Sequence, residues 1–317
     1  MNAVILGGTG FIGTALARSM MAEGGATVIP TRDPEKSRKR LPADMAAKVT
    51  LVPWDGAGGK ALAAIMEQAQ CDVLINLLGE NIASGRWTQQ LKERIVASRV
   101  KAGEAVTDAL SRLHTRPAVL VQASATGYYG SAQPPTDPLL AAEDAPPGSG
   151  FLADTTVRWE ASTLEAESMG VRRVVLRTGM VLGTHGGALP RFVTPFRLFA
   201  GGPLGSGRQE ISWIHIADEV RAIRHLINDS SLHGAFNLTA PDPVTMESFC
   251  RQLGTALNRP SWLRTPAWLL ETLLGEMAAE LITGGRRILP ARLLASGFTF
   301  RFPTLGQAFD DLFLPRS

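Results

Sequence analysis

Three glycines, spaced Gly7-x-x-Gly10-x-x-Gly13, stand between an apolar run over residues 3–6 and a helical pattern that begins near Phe11. Glycine lets main-chain N–H groups approach a phosphate with no side chain in the way, and a helix starting there turns its positive end toward the anion. The chemistry this predicts is capture of a dinucleotide pyrophosphate by the loop Gly7, Thr9, Gly10, Phe11, Ile12 and Gly13, with Gly13 allowing the helix to pack on the strand. A second set of residues would choose the nucleotide. The strand at residues 26–31 ends in Thr31-Arg32-Asp33. A carboxylate at that place accepts from a free ribose 2′-hydroxyl, whereas an arginine accommodates a 2′-phosphate in forked geometry. Thr31 and Arg32 point to NADP(H); Asp33 is the alternative that would take NAD(H).

The elements that must hold these residues follow from periodicity. Apolar runs near residues 2–6, 26–31, 49–53, 72–77, 117–124 and 172–178 alternate with helical patterns, which predicts an α/β fold. The specific expectation is a Rossmann-type, doubly wound parallel sheet covered on both faces. Residues 91–113 carry Leu91, Ile95, Ala102, Val106 and Leu113 at near-helical spacing, one face for the sheet. Residues 131–150 are rich in proline, glycine and small residues and read as an active-site loop. Beyond residue 180 the alternation stops. The expected division is a nucleotide domain over 1–180, with 215–240 returning to it, and a smaller, partly helical substrate cap over 181–317. Ligands of open α/β sheets bind outside the carboxyl ends of the strands, so such a cap would close a cleft.

Composition narrows the function classes. A chain of 317 residues that is 45% hydrophobic buries a full core, and a net charge of +3 without basic blocks gives no sign of nucleic-acid binding. Two cysteines, Cys71 and Cys250, lack metal-ligand spacing, so no metal site is expected and a reducing compartment is. No apolar run reaches the roughly 20 residues of a membrane span, and no charged leader precedes the first strand. The expectation is a cytoplasmic protein acting on a small molecule, with neither nucleic acid nor membrane as partner.

Further motifs sharpen this. They are Asn76-Leu-Leu-Gly-Glu-Asn-Ile82, Trp87 with Lys92-Glu-Arg-Ile and Ser98-Arg99, Gly127-Tyr-Tyr-Gly130, Arg177-Thr-Gly-Met-Val-Leu-Gly183, Gly201 to Gln209 and Trp213-Ile-His215. Together with the glycine spacing they resemble the atypical, extended short-chain dehydrogenase/reductases known as epimerase-family proteins, some of which carry a cell-division-inhibitor label. The resemblance covers the whole chain, and residues 268–315 are similar to that family's C-terminal domain of unknown function. It implies that Thr31 and Arg32 meet the adenosine phosphate, that the Leu77, Leu78 and Gly79 backbone lies beside the nicotinamide ribose, and that Arg99 contacts the cofactor. It also implies that Val181 lies near the nicotinamide and that Asp55 meets adenine.

The superfamily moves protons with a tyrosine, a lysine four residues later and an upstream serine or threonine, because a free tyrosine with pKa ~10 needs a cation to work near neutrality. Where that pair belongs, this chain has Phe151 and Thr155. Ser124 is the candidate for orienting a carbonyl, although alignment on Tyr129-Gly130 would put Ala125 there; Tyr128 is the candidate acid by chemistry. The nucleotide-sugar arginine of relatives is replaced by Ile211, which argues against a nucleotide-diphosphate sugar. Two readings remain. One is an NADP(H)-dependent oxidoreductase or epimerase-like enzyme. The other is a non-catalytic NADP(H)-binding regulator or sensor, with a possible link to cell division.

Overall fold

The computed structural model describes residues 1–131 and 141–314, so residues 132–140 of the glycine- and proline-rich loop predicted over 131–150 lie outside the described residues. Among the described residues eleven strands form in chain order: β1 (Ala3–Leu6), β2 (Thr27–Thr31), β3 (Thr50–Pro53), β4 (Val73–Asn76), β5 (Val119–Ala125), β6 (Arg172–Thr178), β7 (Met180–Leu182), β8 (Glu210–Ile211), β9 (Trp213–His215), β10 (Gly234–Leu238) and β11 (Val244–Thr245). Seven of them make one sheet in the order β10-β6-β5-β4-β1-β2-β3, and every pairing in it is parallel. β1 and β4 are buried along their whole length, which is why Ala3–Leu6 and residues 73–75 are unbroken apolar runs instead of alternating ones.

Helices cover both faces. Leu16, Ala17 and Met20 of helix Phe11–Met21 and Val220, Ile223 and Leu226 of helix Ile216–Asn228 pack with Ile5, Ile75, Val121 and Val174 on one side. On the other, Leu62 and Met66 of helix Gly59–Gln68 and Val106, Ala109 and Leu110 of helix Gln89–Arg112 pack with Val4, Leu6, Leu74 and Leu120. A third core, built on Leu189, Phe196, Trp213, Phe249 and Phe309, belongs to the segment after residue 180. β10 returns to the main sheet beside β6, with Asn237 opposite Arg177. The periodicity after residue 243 resolves into helices Met246–Leu257, Ala267–Leu274, Ala291–Ala295 and Leu305–Phe313. Helix Ala267–Leu274 is ended by Gly275 (φ +61°), followed by the single turn Glu276–Ala278 and a wide π-type turn, Ala279–Thr283.

Because the seven strands run the same way, their carboxyl ends form one edge. Chain order reverses between β1 and β4, the crevice where open α/β sheets receive ligands. That edge carries the glycine loop, Arg32, Asp55, Leu77 to Gly79, Ser124 to Tyr129 and, past β6, Val181.

Candidate functional site

At the β1 end the chain leaves the strand through Gly7 at φ +76°, and a Cβ on Gly7 would lie 2.9 Å from the Leu77 carbonyl oxygen. A Cβ on Gly13 would lie 2.3 Å from the Gly7 carbonyl oxygen, so only glycine lets the helix close on the strand. The Gly10 N–H donates to the Gly7 carbonyl at 2.9 Å. Gly10 caps the helix Phe11–Met21 with no side-chain hydrogen bond and no acidic residue in the first turn. The first-turn amides therefore keep their donors for an anion, beside exposed Thr9 and Gly10. This cradle, shaped by positions that a methyl group would fill, fits the phosphates of a dinucleotide.

The Phe11 ring faces away from that cradle. It lies against Gly183, Gly186 and Gly187, where Cβ atoms would fall 2.6 to 3.1 Å from it, and so ties the glycine loop to the segment after β7. Val181 is buried in β7, opposite Ile214 of β9.

At the end of β2 the Thr31 hydroxyl is 2.8 Å from that of Ser37, and Arg32 is exposed with no hydrogen bond or ion pair among the described residues. Asp33, the alternative ribose carboxylate, instead accepts from the Lys36 amide at 2.9 Å and caps helix Pro34–Arg40. Asp55 accepts from the Ala57 amide at 2.9 Å, closing its own turn after β3. Leu78 N–H donates to Asn76 Oδ1 at 3.2 Å, and the fully buried Asn76 donates to Gln122 Oε1 at 3.0 Å, which fixes the Leu77 to Gly79 backbone. The Arg99 guanidinium lies under Gly79 and donates to the carbonyls of Glu80 (3.1 Å) and Ile95 (3.0 Å). Burial pulls Arg99 down to about 10, with the Glu80 charge opposing. Arg99 thus buttresses the loop that would face the ribose.

The ends of β5 and β6 carry a side-chain network. Ser124, near the end of β5, donates its hydroxyl to Glu160 Oε1 at 2.6 Å. Glu160 receives Arg177 in a fork, Nε to Oε1 at 2.9 Å and Nη2 to Oε2 at 3.0 Å, with both side chains nearly buried. Arg177 Nη1 donates to the Tyr129 hydroxyl at 3.0 Å, and that hydroxyl donates to Asn237 Oδ1 at 2.7 Å. Burial alone would lower the Arg177 guanidinium, but its bonds to Glu160 hold it above the ordinary arginine range; burial raises the Tyr129 phenol. Tyr128 stacks on Arg177, whose guanidinium carbon is 3.4 Å from the ring centroid. The structure therefore brings Ser124 and Tyr128 to one arginine–carboxylate pair. Sequence reading assigns no role to Glu160, Arg177 or Asn237; the one available sign is an arginine at the end of a buried strand.

Phe151 opens helix Phe151–Ala161, and the Thr155 hydroxyl donates to the Phe151 carbonyl at 2.6 Å, a bond inside the helix. Trp87 meets the Phe151 ring edge-on at 4.9 Å, and the Lys92 ammonium lies 4.8 Å from that ring's centroid. The turns after Gly275 cross here. Glu280 accepts from the amides of Phe151 (2.7 Å) and Leu152 (2.8 Å), and Glu276 pairs with Lys92 at 2.5 Å. His215 is buried, caps helix Ile216–Asn228 through Nδ1 (Ala217 amide, 3.1 Å) and approaches Asp311 at 3.4 Å. Among the described residues no group of histidine, cysteine or acidic side chains could hold a metal, and no helix is long and apolar enough to cross a membrane.

Comparison with known proteins agrees with this architecture. Epimerase family protein YfhF of Bacillus subtilis is 35% identical over 316 residues, covering 100% of this chain and 99% of that protein. The crystal structure of human epimerase family protein SDR39U1 (isoform 2) with NADPH superposes with a TM-score of 0.84 at 31% identity, covering 98% of this chain and 99% of that one. Thermus thermophilus UDP-glucose 4-epimerase in complex with NAD shares the fold, with a TM-score of 0.75 at 18% identity over 99% of this chain and 97% of that one. Residues 265–312 match a domain of unknown function, DUF1731, which takes in the turns that cross the cleft. Residues 3–238 match the NAD dependent epimerase/dehydratase family across the glycine loop and the whole seven-stranded sheet, and the chain belongs to that family.

Proposed function

We propose that this chain binds NADP(H) and acts as an oxidoreductase or epimerase-like enzyme on a small molecule held between residues 124–151 and 183–215. The observation that carries the reading is the glycine-walled, uncapped helix N-terminus with an unpaired Arg32 at the end of the neighbouring strand. Human SDR39U1, a relative over nearly the full chain whose crystal structure is one with NADPH, supports it. The loop from Gly7 to Gly13 would hold the pyrophosphate, Thr31 and Arg32 the 2′-phosphate, Asp55 the adenine side, and Leu77, Leu78, Gly79 and Val181 the nicotinamide side with Arg99 behind them. When bound, the cofactor supplies hydride chemistry.

The chain's own residues would then orient the reacting group. Ser124 has one proton and gives it to Glu160. It can therefore offer a substrate lone pairs only, which suits accepting from an alcohol O–H better than donating to a carbonyl. Tyr128 keeps a phenol in the same cluster and is the candidate proton donor. The regulator reading is favoured by one observation, the absence of a tyrosine–lysine pair on helix Phe151–Ala161. We place the protein in the reducing cytoplasm, in keeping with two free thiols that burial raises to about 12 each.

Calorimetry with NADPH and NADH, followed by a panel of carbonyl compounds and alcohols monitored at the reduced-nicotinamide absorbance, tests this. Tighter binding of NADPH and turnover of at least one compound are expected. No heat with either nucleotide overturns the reading; NADPH binding with no turnover across the panel leaves the regulator.

A further inference from the structure

Phe151 occupies a place where a proton-transferring side chain is expected, and the nearest cation to it comes from another helix. Lys92 lies in the first turns of helix Gln89–Arg112, which follows β4, and Phe151 opens the helix that follows β5. Helices after parallel strands start at the strands' carboxyl edge, so both residues stand at the mouth of the crevice. The Lys92 ammonium is over the Phe151 face at 4.8 Å, and Trp87 packs against the ring edge at 4.9 Å. The Lys92 side chain is 21% exposed, and its charge is answered by Glu276 at 2.5 Å, a residue 184 positions later in the chain.

Glu276 is a loosely committed partner. Its side chain is 47% exposed, and it rides on a single helical turn between Gly275 and the wide turn Ala279–Thr283. A lysine–glutamate pair whose carboxylate is half in solvent is weakly held, so a carboxylate with further contacts in the cleft displaces it at small cost. The segment has a separate anchor, because Glu280 holds the Phe151 and Leu152 amides. The contact is close enough that a Cβ on Gly150 would fall 2.8 Å from Glu280 Oε1. Glu276 can therefore leave Lys92 while Glu280 keeps the crossing segment in place.

Resting on the reading of the cleft as a reductase or epimerase-like site, we infer that its substrate is an acid, a carbonyl or hydroxy compound whose carboxylate takes the place of Glu276 on Lys92 beside the aromatic wall of Phe151 and Trp87. Lys92 is a binding residue that positions the substrate. The aromatic pair favours an apolar or aryl substituent next to that carboxylate.

The test is calorimetric titration of the full chain, saturated with NADP⁺, with benzoylformate and with its methyl ester, which has the same aryl ketone and no charge. NADP⁺ binding is measured first. Its absence speaks against the nucleotide reading, whereas normal binding without discrimination between acid and ester overturns only the acid inference. Wild type is expected to prefer the acid about tenfold, the usual scale of one charge-assisted contact. Lys92→Met should erase the preference, Lys92→Arg should keep most of it, and Glu276→Gln should tighten the acid severalfold while leaving the ester unchanged. Equal affinity of acid and ester in wild type, no binding of either, or a preference that survives in Lys92→Met overturns the proposal.

Discussion

The two halves of the crevice are built on different principles. The nucleotide half is made by main chain: four glycines within seven residues, a helix end without a side-chain cap, and a backbone turn fixed by Asn76. The other half, which we read as the substrate half, is made by side chains that meet from β5, β6, β10, helix Phe151–Ala161 and the turns after Gly275. A main-chain site needs only local sequence and admits little variation, since Gly7 and Gly13 are replaceable only by moving backbone. A side-chain site is a set of long-range agreements, free to change its chemistry as long as the buried charges stay balanced.

Removing one member of that balance should produce the largest effect. Glu160→Ala strands the buried Arg177 guanidinium and leaves the Ser124 hydroxyl without its acceptor. Breaking a buried ion pair costs about 3–5 kcal/mol, so chemical denaturation should show a loss of that size. Wild-type stability in the variant would mean that the pair is not what holds the substrate half together.

A second buried carboxylate shows the cost of imbalance. Glu219 is fully buried, accepts from the Thr178 hydroxyl at 2.9 Å and has no partner for its other oxygen among the described residues. Burial pushes it up to about 8. Its folded pKa lies above the unfolded one, so the stability it contributes is full below about pH 4.5 and is lost as pH rises through 8. Between pH 5 and pH 8 the loss is on the order of 3–4 kcal/mol. Glu219→Gln should remove this part of the pH dependence, with denaturation midpoints at pH 5 and pH 8 drawing together. Unchanged slopes would place a compensating cation beside Glu219.

The same contrast explains what can be read from the chain before its folding. The parallel sheet and the glycine loop are legible because the central strands carry buried apolar runs, such as Val73 to Ile75, and because Gly7, Gly10 and Gly13 carry their constraint within seven residues. Arg99 reads as a cofactor contact by resemblance, and its placement under Gly79 depends on a helix turn meeting a loop nineteen residues earlier, at the Glu80 carbonyl. Nothing local marks Lys92 as the neighbour of Phe151, or Glu276 and Glu280 as their partners. The pairings exist only because two crossover helices begin side by side and a distant segment crosses both. The absence of a tyrosine and lysine is legible, but what stands in their place is not.

On the main-chain half, Gly10→Ala separates binding from folding. Gly10 has φ −79°, which alanine adopts freely, and its Cβ would meet only the Gly7 carbonyl oxygen at 3.2 Å. The methyl group would stand where a phosphate must approach the amides. NADPH affinity should fall about 30-fold, or about 2 kcal/mol, with the melting temperature almost unchanged. Equal affinity in the variant would move the pyrophosphate off this loop.

The smallest effect tests a side chain at the edge of the main-chain half. Arg32 is exposed and unpaired among the described residues, so its truncation should leave stability untouched, while Asp33 remains committed to capping the next helix. Arg32→Ala should weaken NADPH about tenfold and leave NADH as it was, because the lost contact is one that only the 2′-phosphate makes. If NADPH and NADH weaken together, Arg32 serves the adenosine as a whole, and selection between the nucleotides passes to the Thr31 and Ser37 hydroxyls beside it.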